Sequence, residues 1–196
     1  MTQLWVGLDL GDGWDAAEVE HQVLDALSIL ERPPDYVVTH ILEDVVSRAA
    51  VALRLTAGTA DDVLKDAEAV YAVLGGTLVA LGDGEPTVLG VRDAARECAR
   101  FAAGSRDALF GRALRFPGQH RLLGVLSVEE IISSSAITKV TGSGWPIAAG
   151  DLVDTRGFVR PIFENGSLVL RVGPAARGLF IPNEIAEPRE CCSGRH

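Results

Sequence analysis

The dipeptide Asn165-Gly166 restricts the fold of this chain more than any other local feature. A two-residue type I′ hairpin turn needs positive φ at both central positions, and Asn-Gly meets that need well. Apolar residues flank the pair, in strands predicted over 151–164 and 167–172. Because such a loop fixes the register of the two strands, Arg160 is predicted to lie directly opposite Arg171.

Two arginines placed opposite each other repel, so this hairpin needs a compensating negative charge. The same strand face is predicted to carry Phe158, with Arg156 further along. Guanidinium forks suit carboxylates and phosphates, and arginine beside apolar side chains is typical of interface cores. The sequence therefore predicts an anion- or partner-binding surface formed by Arg156, Phe158, Arg160 and Arg171. The alternative is that the acidic half of the same chain neutralises the arginines.

Charge is distributed unevenly along the 196 residues, whose formal net charge is −9. Residues 1–116 hold 10 basic and 19 acidic side chains, whereas residues 117–196 hold 8 of each. We therefore expect an acidic domain over 1–116 and an electrically neutral one over 117–196. A negative surface repels phosphate backbones, which argues against nucleic acid as a partner.

The first domain is predicted to be mainly helical, with a few strands. Apolar residues recur at helical spacing after Val19 and again over 60–74, and a further amphipathic helix is predicted over 92–114. Thr2 to Leu10 is predicted to be a strand. The period of the apolar segment 36–55 fits either a helix or a strand.

The second domain is predicted to be a small antiparallel β module, because glycine, serine, threonine and valine become frequent and turn signals recur. Ser127 is predicted to cap a short helix that follows a strand. The segment from Gly150 to Leu170 resembles the central hairpin of OB-fold barrels, and this resemblance implies an OB-like barrel that binds on one face. The fold class expected for the whole chain is thus α+β.

A Cys-Cys-x-x-x-His sequence closes the chain at Cys191, Cys192 and His196. Thiolates and a nearby imidazole can bind zinc or another transition metal, although the usual Cys-x-x-Cys spacing is absent. Packing of this tail on the domain or on a partner, and redox chemistry of its thiols, are the alternatives.

A glycine turn at Gly11-Asp12-Gly13 matches a dinucleotide-binding pattern between a predicted strand and a predicted helix. Asp12 and Asp15 would place negative charge where a pyrophosphate must bind, so nucleotide binding remains a third hypothesis. The sequence contains no Ser/His/Asp pattern and no phosphate loop.

These patterns favour a non-enzymatic accessory, scaffold or binding protein that acts through its C-terminal β module and tail. Its expected partner is another protein or a second copy of the chain. The competing hypothesis is a metal-binding protein or metal-dependent enzyme that uses Cys191, Cys192 and His196. Three cysteines and no apolar run of membrane-spanning length predict the cytosol of a bacterium as its location.

Overall fold

The computed structural model describes residues 2–10, 19–42, 48–81, 86–90 and 111–184. The chain divides into two compact units. The first unit comprises residues 1–117 and 162–167, and the second comprises residues 118–161 and 168–196.

Strands outnumber helices in the described part of both units. In chain order, the strands are β1 (Thr2–Asp9), β2 (Tyr36–Leu42), β3 (Arg48–Ala57), β4 (Thr77–Leu81), β5 (Thr87–Leu89), β6 (Arg112–Arg115), β7 (Val125–Ser127), β8 (Lys139–Gly142), β9 (Leu152–Asp154), β10 (Ile162–Glu164), β11 (Ser167–Pro174) and β12 (Phe180–Pro182). The α-helices are α1 (Val19–Ser28), α2 (Ala60–Leu74) and α3 (Val128–Ser134), and two short 3-10 helices span Gln119–Arg121 and Ala176–Gly178.

The first unit is built around an antiparallel sheet with the strand order β5-β4-β1-β3-β2-β6-β10. Helices α1 and α2 bury their apolar stripes in one core with alternate residues of the sheet. The predicted stripes of both helices are confirmed, and their buried members are Val19, Val23 and Leu27 of α1 and Val63, Ala67, Val70 and Leu74 of α2. The predicted strand at the N-terminus is confirmed as β1.

The expectation of a mainly helical first domain is wrong. The ambiguous segment 36–55 folds as β2 and most of β3, which lie beside each other in the middle of the sheet. Consecutive residues such as Val37 and Val38 are both buried, so apolar side chains do not alternate with polar ones. Without that alternation, the pattern does not separate a buried strand from a helix.

The helix predicted over 92–114 is also contradicted at its end. Residues Arg112–Arg115 form β6, which pairs with β2. The remainder of that predicted helix, at 92–110, lies outside the described residues.

The second unit contains a mixed sheet with the strand order β11-β12-β9-β7, and β8 also pairs with β11. The pairs β8–β11 and β9–β12 are parallel, so the expected antiparallel, OB-like module is wrong. The sequence pattern of a strand does not reveal which neighbour it takes. The predicted cap is confirmed: the Ser127 hydroxyl accepts a hydrogen bond from the Glu130 amide, and the Glu130 carboxylate accepts one from the Ser127 amide.

The Asn165-Gly166 turn has the predicted conformation, with φ of 48° and 81° at its two residues. The single strand predicted over 151–164 is wrong. The segment instead contains β9, a turn at Thr155–Phe158 and β10. Arg160 precedes β10 and so lies outside the ladder in which it was expected to face Arg171.

Candidate partner-binding edge of the second unit

A tight turn after β9 holds two of the predicted site residues. The Phe158 amide donates to the Thr155 carbonyl oxygen at 2.9 Å, and the central residues Arg156 and Gly157 have φ of 51° and 72°. These are the positive values of a type I′ turn. Positive φ is unfavourable for arginine, and the Asp154 carboxylate stabilises this conformation by accepting a hydrogen bond from the Arg156 amide at 3.2 Å.

The buried residue Thr155 anchors the turn. Its hydroxyl lies 2.9 Å from the Leu122 carbonyl oxygen and 3.0 Å from that of Gly124. Its amide also donates to the Gly124 oxygen at 2.9 Å. These bonds fix the start of β7 against the turn, so Arg156 is held at the end of the β7–β9 pair.

The other predicted arginines have different surroundings. The Arg160 guanidinium carbon lies 4.4 Å from the centre of the Phe158 ring, which is a cation–π contact. Arg171 is exposed on β11, directly opposite Thr141 of β8. The structure therefore joins Phe158 to Arg160, and β8 supplies Thr141 rather than a second arginine as the ladder neighbour of Arg171.

Three large apolar side chains are exposed on the β7–β9 pair and just before it. The exposed fractions are 66% for Leu123, 50% for Val125 and 43% for Leu152. In the antiparallel β7–β9 pair, Leu152 lies opposite Ser127 and Val125 lies opposite Asp154. Val125 and Leu152 therefore share one face of the pair, whereas the opposite face includes the buried Val153.

Leu123 extends this surface toward the turn. A Cβ atom added to Gly157 would lie 3.3 Å from Leu123 Cδ2, which places the leucine side chain next to the turn. The Arg156 side chain is 59% exposed, and its Nε lies 3.4 Å from Asp154 Oδ2. We name the surface formed by Leu123, Val125, Leu152 and Arg156 the apolar edge.

Sequence reasoning found Arg156 but missed the apolar members of this edge. The sequence predicts one strand over 122–126, whereas β7 spans Val125–Ser127 and Leu122 lies buried before it. The sequence held no usable signal for Leu123, because Leu122 and Leu123 are identical residues that precede β7 and so lie outside a regular strand.

Several predicted site residues lie outside the described part of the chain. These are Cys191, Cys192 and His196 of the tail and the glycine turn at Gly11-Asp12-Gly13. Within the described ranges, no group of three or more histidine, cysteine, aspartate or glutamate side chains is arranged to hold a metal ion.

The first unit buries a row of polar side chains on the sheet face opposite to α1 and α2. The register places Thr77, Asp9, Ala50 and His40 side by side on β4, β1, β3 and β2. All four residues are buried, and burial lowers the pKa of His40 to about 4. The imidazole is therefore neutral at pH 7.

Gly111 packs tightly against this histidine. Its φ is 137°, and an added Cβ would lie 2.6 Å from His40 Cε1. Asp9, Thr77 and His40 each also interact with another group. This row is a satisfied polar part of the interior, and it presents no exposed charge to a ligand.

No protein-family model, curated protein or solved structure matches this chain. Among the described residues, no helix is both long enough and apolar enough to cross a membrane.

Proposed function

We propose that this chain is a non-catalytic binding protein that docks a partner protein on its apolar edge. The observation that carries the proposal is the exposure of Leu123, Val125 and Leu152 on one short edge of the second unit. A contiguous apolar surface with a polar rim is typical of a protein-binding site. The low cysteine content supports a cytosolic location for this activity.

Apart from its length of three residues, β7 lacks the devices that normally protect a strand edge. Proteins place lysine, proline or a bulge on such strands to prevent unwanted pairing. The segment from Leu123 to Ser127 contains no charged residue and no proline. An unprotected edge is a liability for a chain that acts alone, and it is useful to a chain that binds a partner there.

The backbone of β7 contributes little to docking. The Gly124 carbonyl accepts from the Thr155 amide and the Val128 amide donates to the Asp151 carbonyl, both on the β9 side of β7. Because backbone groups alternate along a strand, those of Val125 point away from β9, toward the open edge. The next amide, that of Ser127, donates to the Glu130 carboxylate at 2.8 Å. Affinity must therefore come mainly from the apolar side chains of the edge.

The partner that fits is an apolar segment of a different protein, with a carboxylate placed to meet Arg156. Charge argues against a second copy of the chain, because two molecules of net charge −9 repel each other. Arg156 has a long 3.4 Å contact with Asp154 and is well exposed, so its guanidinium can take a carboxylate of the partner.

Site-specific photo-crosslinking in the native host tests this proposal. A photo-reactive amino acid replaces Val125 in one variant and Ile29, an exposed apolar residue of the first unit, in the other. We expect position 125 to capture one protein that position 29 does not, and the purified protein to bind the wild-type chain directly. Capture of the same proteins at both positions, capture of the chain itself, or no capture would overturn the proposal.

A further inference from the structure

The sequence has two asparagines, and the structure gives them opposite surroundings. Asn165 is exposed at the tip of the two-residue turn between β10 and β11, and no described residue forms a hydrogen bond with its side-chain amide. Asn183 follows β12, where its Nδ2 donates to Ser143 Oγ at 2.6 Å and its backbone amide donates to the Arg171 carbonyl oxygen at 3.0 Å. The described residues therefore fix the side chain of Asn183 but not that of Asn165.

The residue that follows each asparagine increases this difference. An asparagine amide is thermolabile because the backbone nitrogen of the next residue can attack it. Gly166 has no Cβ, so no side chain of its own shields the nitrogen that follows Asn165. Glu184 carries a long side chain next to the nitrogen that follows Asn183.

We propose that Asn165 is a site of spontaneous deamidation and that its isoaspartate product disrupts the turn between β10 and β11. The Gly166 nitrogen attacks Cγ of Asn165, so that the N–Cγ bond forms, the Cγ–Nδ2 bond breaks, and ammonia leaves with the proton of the Gly166 amide. Water then opens the cyclic succinimide. Cleavage of the N–Cγ bond gives aspartate, whereas cleavage of the original peptide bond between Asn165 and Gly166 gives isoaspartate.

The conformation of the turn controls when this reaction occurs. Asn165 and Gly166 have φ of 48° and 81°, and a type I′ turn directs the Gly166 nitrogen away from Asn165 Cγ. The attack therefore requires rotation about the Cα–C bond of Asn165, which opens the tip of the hairpin. This opening costs little free energy, because the turn is exposed and β10 is only three residues long.

The two products have different effects on the turn. Asp-Gly suits a type I′ turn as Asn-Gly does, so aspartate retains the turn and adds a negative charge. Isoaspartate routes the backbone through Cβ and Cγ, which lengthens the loop by one atom and removes its match to a two-residue turn. The strain acts on β10, whose Phe163 amide donates to the Gly111 carbonyl oxygen at 2.9 Å. Because the loss of ammonia is not reversed, the modified fraction rises with the age of the chain.

Mass spectrometry of peptides from the full chain, incubated in warm and mildly alkaline buffer, tests the site. We expect the peptide that contains Asn165 to gain one dalton progressively and the peptide that contains Asn183 to keep its mass. Unfolding the chain in urea should accelerate the change at Asn165, since the turn no longer holds the Gly166 nitrogen away from Cγ. A gain at Asn165 no faster than at Asn183, or no acceleration in urea, would overturn the proposal.

Melting temperatures test the effect of the isoaspartate product. Anion exchange isolates the deamidated chains, and fragmentation of their peptides gives the share of isoaspartate. These chains should melt at a lower temperature than Asn165→Asp, which has the same added charge without the longer backbone. Asn165→Gly, incubated in parallel, is the matched control for changes elsewhere in the chain, because Gly-Gly suits the turn and carries no amide. Equal melting temperatures for the isoaspartate chains and Asn165→Asp would refute the disruption of the turn.

Discussion

Arg156 shows how a single strained residue marks the candidate site. Asn165 and Arg156 both begin type I′ turns with positive φ, yet only asparagine is favoured in that conformation. The arginine is less favourable by about 1 kcal/mol relative to a residue suited to this region. Strain that folding does not need is expected where a side chain serves binding.

Replacing Arg156 by glycine should therefore separate stability from binding. We expect Arg156→Gly to raise the free energy of unfolding by about 1 kcal/mol, because glycine accepts positive φ without strain. The same variant should bind the partner more weakly, since the exposed guanidinium is lost. Urea unfolding and partner affinity measure the two effects. A less stable variant would show that the turn requires arginine for structural reasons.

His40 links the stability of the first unit to pH. Its pKa is lowered by burial from 6.5 to about 4, so the unfolded chain binds a proton more readily than the folded one. The stabilisation of the folded state by the neutral His40 imidazole is complete above pH 6.5 and is lost as the pH falls toward 4. It amounts to about 3 kcal/mol in that window, from 1.36 kcal/mol for each pKa unit.

Urea unfolding at several pH values checks this expectation. The wild type should lose more stability between pH 6.5 and pH 4 than His40→Gln, which has no titrating imidazole. His21→Gln is the matched control for the substitution itself, because His21 lies exposed on α1. Equal slopes for the wild type and His40→Gln would contradict the burial effect.

Helices and turns were the elements that local sequence determined. The stripe of α2 and its N-cap, where the Thr59 hydroxyl accepts from the Asp62 amide at 3.2 Å, involve residues close together in the chain. The conformation of the Asn165-Gly166 turn likewise depends on neighbouring residues of the chain. Strand pairing is not local: β3 takes β1 and β2 as neighbours, and β8 pairs in parallel with β11.

The candidate site was predictable only in part for the same reason. The sequence predicted Arg156 and Phe158 as binding residues because an arginine lies close to an aromatic residue. The exposure of Val125 depends on β7 lying at the end of a strand order, which the sequence does not contain. Arg160 and Arg171 were paired by extending the hairpin register through Pro161, whereas β10 begins only at Ile162.

The capping box of α3 provides a test at the level of one element. Ser127→Ala removes the hydroxyl that accepts from the Glu130 amide, so we expect the free energy of unfolding to fall by about 1 kcal/mol. Ser133→Ala is the control, because its hydroxyl only donates to the Glu130 carbonyl oxygen at 3.3 Å within the helix. Thermal unfolding compares them. Equal melting temperatures for both variants would refute the stabilising role of the box.

At the scale of the whole molecule, charge is distributed unevenly between the first and second parts of the chain. The chain returns to the first unit at 162–167, where β10 pairs with β6. The excess of acidic residues lies in 1–116, whereas 117–196 is electrically neutral and contains the apolar edge. The apolar edge has one charged member, Arg156, so a partner that covers it desolvates few charges.

The affinity of the captured partner for two lysine variants tests the central claim most directly. Val125→Lys places a charge on the edge strand, and Ile29→Lys places the same charge on an exposed apolar position of the first unit. We expect Val125→Lys to weaken binding by about tenfold or more, and Ile29→Lys to leave it unchanged, with both variants unfolding at the wild-type temperature. Equal affinities for the two variants would contradict docking on the apolar edge.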